Sequence, residues 1–269
     1  MAFSLNNPHW LQLADEHRQW LMGFEPLYRV QWDKMLANDD EAAMCEAGVR
    51  RKIQELGLSI RPNENLSDGS GGPDFHCSDG VNNFYVEATC ISVETAERKS
   101  EIKDEPTSGV ASFKIMGMVE AVFSKCGDKA PQCANLDSPA LVAVGTFHLA
   151  AAIWGFNKIL VGMMLTGKTS LAWNITASGE QAGDAYQITS FEKAAFLRRD
   201  DIEEVDFKRS SISGLLMIEI GTGLCLGVLH PNPVRPFDPT VLPAVEFGQV
   251  QLDKSMRQLH VHWTGGITG

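Results

Sequence analysis

The sequence lacks a hydrophobic segment long enough to cross a membrane. Its longest mostly apolar run, residues 140 to 153, contains His148 and is shorter than the roughly 20 residues that a spanning helix needs. The first residues, MAFSLNNP, lack the basic start and apolar core of a secretory signal. These features predict a cytoplasmic protein with no membrane partner.

Closely paired cysteines are also missing. The chain of 269 residues has six cysteines, at positions 45, 77, 90, 126, 133 and 225, and none of them forms a CxxC pair. Scattered cysteines in a chain of this size are typical of reduced thiols rather than of a disulfide framework or a zinc knuckle. The cysteine pattern therefore agrees with a cytoplasmic location.

Positive charge is scarce. The chain has 23 Lys and Arg against 34 Asp and Glu, which gives a formal net charge of -11. This excludes a protein that coats nucleic acid through bulk charge, because neutralising phosphates requires clustered basic residues. A local basic groove is still compatible with this charge, and three short clusters could contribute to one: Arg50-Arg51-Lys52, Arg198-Arg199 and Lys208-Arg209.

What the sequence does contain is an alternation of helix and strand patterns. Residues 39–57 predict an amphipathic helix with acidic residues first, basic residues later and Gly57 at its end. Short apolar runs bounded by turn residues predict strands before and after a second helical pattern at 109–126. This order predicts an α/β fold in which a mixed central β-sheet is flanked by helices.

The predicted domain organisation follows from the same patterns. Residues 1–38 read as an N-terminal helical extension, and residues 39–269 as one α/β domain. Residues from about 150 to 210 contain scattered Gly and Thr, and they are predicted to form an irregular insertion between core strands, with at most a small hairpin.

Two acidic residues stand out in the stretch PDFHCSDGVNNFYVEATC, residues 73–90. The segment SDGVNN has the composition of a hairpin turn between two strands. Alternation along the second strand places Tyr85, Glu87 and Thr89 on one face. Asp74 begins the first strand, so the hairpin is expected to bring its carboxylate close to that of Glu87.

A buried carboxylate is costly unless a charge or hydrogen bonds compensate it, and two neighbouring carboxylates also repel each other. One solution is a shared Mg²⁺ or Mn²⁺ ion, since these cations prefer oxygen ligands. The other solution pairs one carboxylate with a Lys or Arg while the second caps the turn. The spacing of the two acids alone does not decide between these solutions.

Pro73-Asp74 followed by a strand ending in Glu87-Ala88-Thr89 resembles the PD-(D/E)xK nuclease superfamily. The resemblance covers about residues 39 to 147. It implies a restriction-endonuclease-like core and a magnesium-dependent nuclease that hydrolyses phosphodiester bonds, with DNA favoured over RNA. It also makes a homodimer one expected assembly.

The resemblance implies a set of metal ligands. Asp74 and Glu87 would bind the metal, assisted by the carbonyl oxygen of Ala88. A glutamate on the preceding helix would contribute as well. Glu46 is the predicted residue, with Glu41 as the alternative.

The motif lysine of the superfamily is absent, because Thr89 occupies its position. A hydroxyl group cannot supply the positive charge of a lysine. Some members of the superfamily carry this lysine on the following helix, and Lys114 is predicted to take the role here, with Lys125 as the alternative. If neither lysine reached the site, the chain would be a catalytically inactive nuclease-like binding module.

A third hypothesis comes from GMMLTGKT, residues 162–169, which satisfies the P-loop pattern GxxxxGK[ST] of ATPases. A P-loop needs a strand before it and a long helix after it, whose N-terminus holds the phosphates. The residues that follow, SLAWNITASGEQ, do not predict such a helix. The sequence therefore favours the nuclease hypothesis over nucleotide hydrolysis.

Overall fold

The fold is built around one large mixed β-sheet. The computed structural model describes residues 3–63, 72–104, 113–114, 116–192, 194–199, 205–253 and 258–265. The eight strands of the sheet are, in chain order, β1 (Ser59–Pro62), β2 (Phe75–Ser78), β3 (Asn83–Ile91), β4 (Ala140–Thr146), β9 (Gly214–Glu219), β10 (Cys225–Leu229), β11 (Glu246–Asp253) and β12 (Gln258–Thr264). Two separate hairpins pair β5 (Lys168–Ile175) with β6 (Gln181–Ser190) and β7 (Leu197–Arg199) with β8 (Val205–Phe207).

The spatial order of the sheet is β1-β2-β3-β4-β9-β10-β11-β12. The strands β1, β2 and β3 form an antiparallel meander, and β3, β4 and β9 run parallel to one another. The remaining neighbours are antiparallel, except for the parallel pair β10 and β11. The parallel strands lie at the centre, where both faces of the sheet are covered, as is usual for parallel pairing.

Helices cover both faces. They are α1 (Pro8–Leu21), α2 (Pro26–Asn38), α3 (Asp40–Glu55), α4 (Val93–Ser100), α5 (Gly117–Lys129), α6 (Leu149–Gly155) and α7 (Lys158–Thr166), with a short 3-10 helix at Pro239–Val241. Asp39 begins α3 by accepting a hydrogen bond from the Ala42 amide, and acidic residues fill the first turn of this helix, which is favourable for the helix dipole.

One face of the sheet packs against α1, α2 and α3. Trp10 of α1 and Trp32 of α2 are almost fully buried, in the same apolar cluster as Met44 of α3 and Phe84 and Val86 of β3. The N-terminal helices therefore complete the core of the central sheet. The predicted extension at residues 1–38 shares this core with the residues that follow it.

The opposite face packs against α5, α6 and α7. Strand β4 shows the division, because Leu141 and Ala143 lie in the cluster beneath α3, whereas Val142 and Val144 lie in the cluster beneath α5. All seven residues of β4 are buried. Burial on both faces explains why this strand is a continuous apolar run rather than an alternating one.

The predicted α/β class, with a mixed central sheet flanked by helices, is confirmed. The interpretation of residues 150–210 as irregular is wrong, because this stretch contains α7, most of α6 and both small hairpins. The P-loop pattern does not adopt the order of a phosphate-binding loop. Residues 162–166 lie inside α7, Gly167 turns the chain with φ of 81°, and the strand β5 follows.

Within the described ranges, no single helix has the length and apolar character needed to cross a membrane. The helices α6 and α7 reach that length and composition only as a pair, and they are bent by 60° at their junction.

Close packing of α3 on β4 yields a first prediction. A Cβ atom at Gly145 would overlap Sγ of Cys45 and approach Ile220. Because core overpacking costs about 1–3 kcal/mol, we expect Gly145→Ala to lower the free energy of unfolding in urea by that amount. Gly162→Ala is the matched control, since a Cβ there makes only an ordinary contact, 3.7 Å from Val261. Equal unfolding midpoints for the two variants would contradict the close packing.

Candidate functional site

The buried carboxylate of Glu87 has a lysine partner. Glu87 is fully buried in β3 and lies on the face that packs against α5. Nζ of Lys129 is 2.6 Å from Oε1 of Glu87. Lys129 is the last residue of α5, where a positive charge is also favourable for the helix dipole. The charge partner that the sequence required is therefore a lysine at the end of α5, the second helix after β3.

Asp74 directly precedes β2, at one end of the meander, and lies beside Glu87 of β3. Phe75 is opposite Val86, so the continuing register sets Asp74 opposite Glu87. Oδ2 of Asp74 accepts a hydrogen bond of 2.6 Å from the amide of Ala88. Backbone amides of a strand point along the sheet, so this bond holds the Asp74 carboxylate in the plane of the sheet, between its two faces.

Both carboxylates act on the same ammonium group. Burial alone lowers the pKa of Lys129, but Glu87 and then Asp74 more than offset this effect, so that its pKa is raised above the usual value. The same two acids affect the thiol of Cys133. Its pKa is raised to about 12, first by burial, then by Glu87 and more weakly by Asp74. Asp74, Glu87 and Lys129 thus form one electrostatic unit, which we call the acid–lysine site.

A cleft adjoins the site on the side of the N-terminal helices. Asp74 and Glu46 both line it. Aromatic side chains of α1 and α2, Trp20 and Tyr28, form part of its wall. Oε1 of Glu46 lies 3.7 Å from the Nε2 atom of the buried His17. Asp74 therefore borders both the Glu87 side and the Glu46 side of the sheet.

The structure does not gather the whole predicted ligand set at one point. Glu87 faces α5, whereas Glu46 lines the cleft beside α1 and α2. Ala88, predicted to contribute its carbonyl oxygen, contacts Asp74 through its amide nitrogen. The alternative residue Glu41 is elsewhere, because its Oε2 accepts a hydrogen bond from the amide of Val93, beyond the far end of β3.

The predicted lysine, Lys114, is not the ion-pair partner of Glu87. Lys114 precedes α5, is largely exposed, and pairs with Glu101 at 2.8 Å. The alternative, Lys125, is on α5, but the acid–lysine site receives its positive charge from Lys129. The sequence held a signal for this residue, because Val122, Cys126 and Lys129 follow the i, i+4, i+7 spacing of a buried helix face.

The donor groups near the acid–lysine site are few for a divalent metal. Within the described part of the chain, no group of three or more His, Cys, Asp or Glu side chains is arranged to hold a metal ion. Mg²⁺ in proteins is commonly bound through one or two carboxylates, with water and substrate phosphates as the other ligands. An ionised carboxylate has two oxygens and about four lone-pair sites, so the ion pair with Lys129 is compatible with a further contact. Asp74 and Glu87 are thus oxygen donors of the type that Mg²⁺ takes, with Glu87 fully buried and already paired with Lys129.

The buried ion pair yields a second prediction. Lys129→Met would leave the Glu87 charge buried without its ammonium partner, and we expect a loss of about 3 kcal/mol in unfolding free energy. The double variant Lys129→Met/Glu87→Gln should recover part of this loss in a double-mutant cycle. Lys158→Met is the control, because its pair with Glu246 is exposed and should contribute less than about 1 kcal/mol. Additive effects of the two site substitutions would argue against the pair.

The buried histidine yields a third prediction. Burial, followed by Arg50 and Arg18, lowers the pKa of His17 to about 3. Below the ordinary value of about 6.5 the unfolded chain takes up a proton that the folded chain does not, so stability falls as the pH falls towards 3. One such proton corresponds to about 1.4 kcal/mol per pH unit.

We therefore expect wild type to lose about 2 kcal/mol more than His17→Leu when urea unfolding is measured at pH 6 and again at pH 4. Comparing the two chains cancels the titration of the carboxyl groups that they share. Parallel curves over this range would show that His17 takes up its proton in the folded state.

Comparison with known proteins gave no match. No protein-family model, no curated protein and no solved structure matches this chain.

Proposed function

We propose that this chain is a metal-dependent nuclease that hydrolyses phosphodiester bonds, using Mg²⁺ or Mn²⁺ and acting on DNA rather than RNA. The observation that carries the proposal is the ion pair of Glu87 with Lys129 at 2.6 Å beside Asp74, whose carboxylate is held by the amide of Ala88. Two acids and one lysine are the residue types that the PD-(D/E)xK motif combines, and Lys129 supplies the positive charge that Thr89 lacks.

The order of elements also supports the resemblance. The helix α3 precedes the meander β1 to β3, and α5 then leads into β4, which pairs parallel to β3. This is the order in which the superfamily arranges the elements around its motif. Assignment of the whole domain to a restriction-endonuclease-like core is part of the proposal.

Each residue has a distinct role in the proposed reaction. Asp74 and Glu87 would hold the metal, which supplies Lewis-acid polarisation of a phosphoryl oxygen when it is bound. Lys129 neutralises part of the carboxylate charge and presents an ammonium group where negative charge develops on the phosphate. Glu46 lines the adjoining cleft. There it would contact the substrate, and it would not bind the metal together with Glu87.

A second candidate function is a catalytically inactive nuclease-like binding module. The ion pair of Lys129 with Glu87 favours it, because the lysine already neutralises one of the two carboxylates. The sequence offers such a pairing as its alternative to a metal site, but there the second acid caps the turn, whereas in the structure Asp74 accepts a hydrogen bond from the Ala88 amide. In that case calorimetry would detect no binding of Mg²⁺ or Mn²⁺, and no nucleic acid would be cleaved.

A cleavage assay tests the proposal and is the fourth prediction. With Mg²⁺ or Mn²⁺, we expect wild type to cleave plasmid DNA, and Asp74→Asn and Glu87→Gln to abolish cleavage. Lys129→Met should lower the rate by about 100-fold or more, the usual effect of removing one group that stabilises transition-state charge. Lys158→Met, which breaks an exposed ion pair elsewhere, should cleave at the wild-type rate.

A rescue variant sharpens this test. Thr89 lies two residues after Glu87, on the same face of β3, so a lysine there could replace the charge of Lys129. We expect Lys129→Met/Thr89→Lys to recover cleavage relative to Lys129→Met, with circular dichroism confirming that both variants fold. Wild-type cleavage by Lys129→Met alone would remove the lysine from the proposed mechanism.

A further inference from the structure

Two consecutive basic residues lie over one aromatic ring of α5. Lys208 and Arg209 are in the segment between β8 and β9. Nζ of Lys208 is 4.8 Å from the centre of the Phe123 ring, and the guanidinium carbon of Arg209 is 4.6 Å from it. Each distance is within the range of a cation–π interaction. We call Lys208 and Arg209 the basic pair.

An unfavourable backbone conformation holds the basic pair together. Consecutive side chains of an extended chain point to opposite sides, yet both of these reach the same ring. Arg209 has φ of 61°, in the left-handed region that costs a non-glycine residue about 1 kcal/mol. Hydrogen bonds fix this geometry, since Arg209 donates to the carbonyl of Ala195 at 2.6 Å and the amide of Lys208 donates to the carbonyl of Phe196 at 2.8 Å.

Accommodating Arg209 also lowers the intrinsic stability of the helix α5. Gly127 is inside this helix, where glycine costs about 1 kcal/mol relative to alanine. A Cβ atom at this position would lie 3.0 Å from a terminal guanidinium nitrogen of Arg209. Arg209 therefore approaches the helix closely at the position where Gly127 has no side chain.

The basic pair has no carboxylate partner in the part of the chain that the structure describes. Arg198, a nearby basic residue, is paired with Asp206 at 2.6 Å, but neither Lys208 nor Arg209 forms a salt bridge with a described residue. Burial, followed by Arg209 and Arg198, lowers the pKa of Lys208 to about 8. Lys208 and Arg209 are therefore two adjacent cations that repel each other, in a chain whose net charge is -11. A bound anion would reduce this repulsion.

The basic pair and the acid–lysine site share the helix α5. Phe123 and Lys129 are six residues apart, which corresponds to about 9 Å along the helix axis. Ser211 follows the basic pair and donates a hydrogen bond of 3.1 Å to the carbonyl of Ala130, next to Lys129. A nucleic-acid strand carries one phosphate per about 3.4 Å of helix axis, so one strand could reach both places within about three phosphates.

We propose that Lys208 and Arg209 bind a backbone phosphate of a nucleic-acid strand whose neighbouring phosphates reach the acid–lysine site. The choice of ligand rests on the proposed nuclease function, whereas the existence of an anion site rests on the basic pair itself. A phosphate group offers several charged acceptor oxygens, which suit an ammonium and a guanidinium group held side by side.

Fluorescence anisotropy with labelled single-stranded and duplex DNA tests this proposal, in EDTA so that no strand is cleaved. We expect Lys208→Ala/Arg209→Ala to weaken binding about tenfold and to reduce the slope of log affinity against log salt by about one to two. The control Arg198→Ala/Lys158→Ala removes the same charge from residues that are already paired, and it should change the affinity less than twofold. Lys208→Gln, which keeps the Arg209 hydrogen bond, serves if the double variant does not fold.

The outcomes separate this inference from the nuclease proposal. Glu87→Gln should bind DNA like wild type in EDTA while losing cleavage. If the basic-pair variant loses DNA binding but the wild type cleaves no DNA, the phosphate site is supported and the nuclease proposal is overturned. Unchanged affinity and salt slope in that variant, or no wild-type binding, would overturn the phosphate site. Inorganic phosphate that displaces labelled DNA as effectively as an equal concentration of unlabelled DNA, at constant ionic strength, would also overturn it, by assigning the site to a small anion.

Discussion

The interaction on which the rest of the structure depends is the ion pair between Glu87 and Lys129. Glu87 is fully buried in a strand between two others, where an uncompensated carboxylate would cost several kcal/mol. Lys129 offsets this cost only if α5 ends at the correct height above β3. Apolar residues of similar size are often at least as stabilising as a buried ion pair. Stability alone therefore does not explain why this position holds an ion pair.

Asp74 links the two faces of the sheet. Its bond to the Ala88 amide holds it in the sheet plane, with Glu87 on one side and the cleft bordered by Glu46 on the other. The N-terminal helices thus contribute the wall of the cleft, and α5 contributes the lysine. A substrate in such a site would contact elements that are far apart in the chain, and rigid packing on both faces fixes their relative positions.

The sequence alone predicted the features that local patterns determine. Alternation and turn residues gave the hairpin of β2 and β3, and helical spacing gave α3. The ion pair was harder, because Glu87 and Lys129 are 42 residues apart and their contact depends on where α5 ends. The apolar pattern also places Lys114 on a helix, whereas α5 begins only at Gly117. A helix that packs on two sides lacks an amphipathic pattern, so the sequence of residues 150–210 does not reveal α7.

The packing of α1 and α2 into the core of the sheet has a consequence for protein synthesis. Trp10 and Trp32 leave the ribosome first, but they pack in a cluster that includes Leu141 and Ala143 of β4. At about 5–20 residues per second, the roughly 100 intervening residues take about 5–20 s to translate. During this interval the two indole rings lack part of the surface that covers them in the fold, so α1 and α2 expose apolar side chains of the kind that chaperones shield.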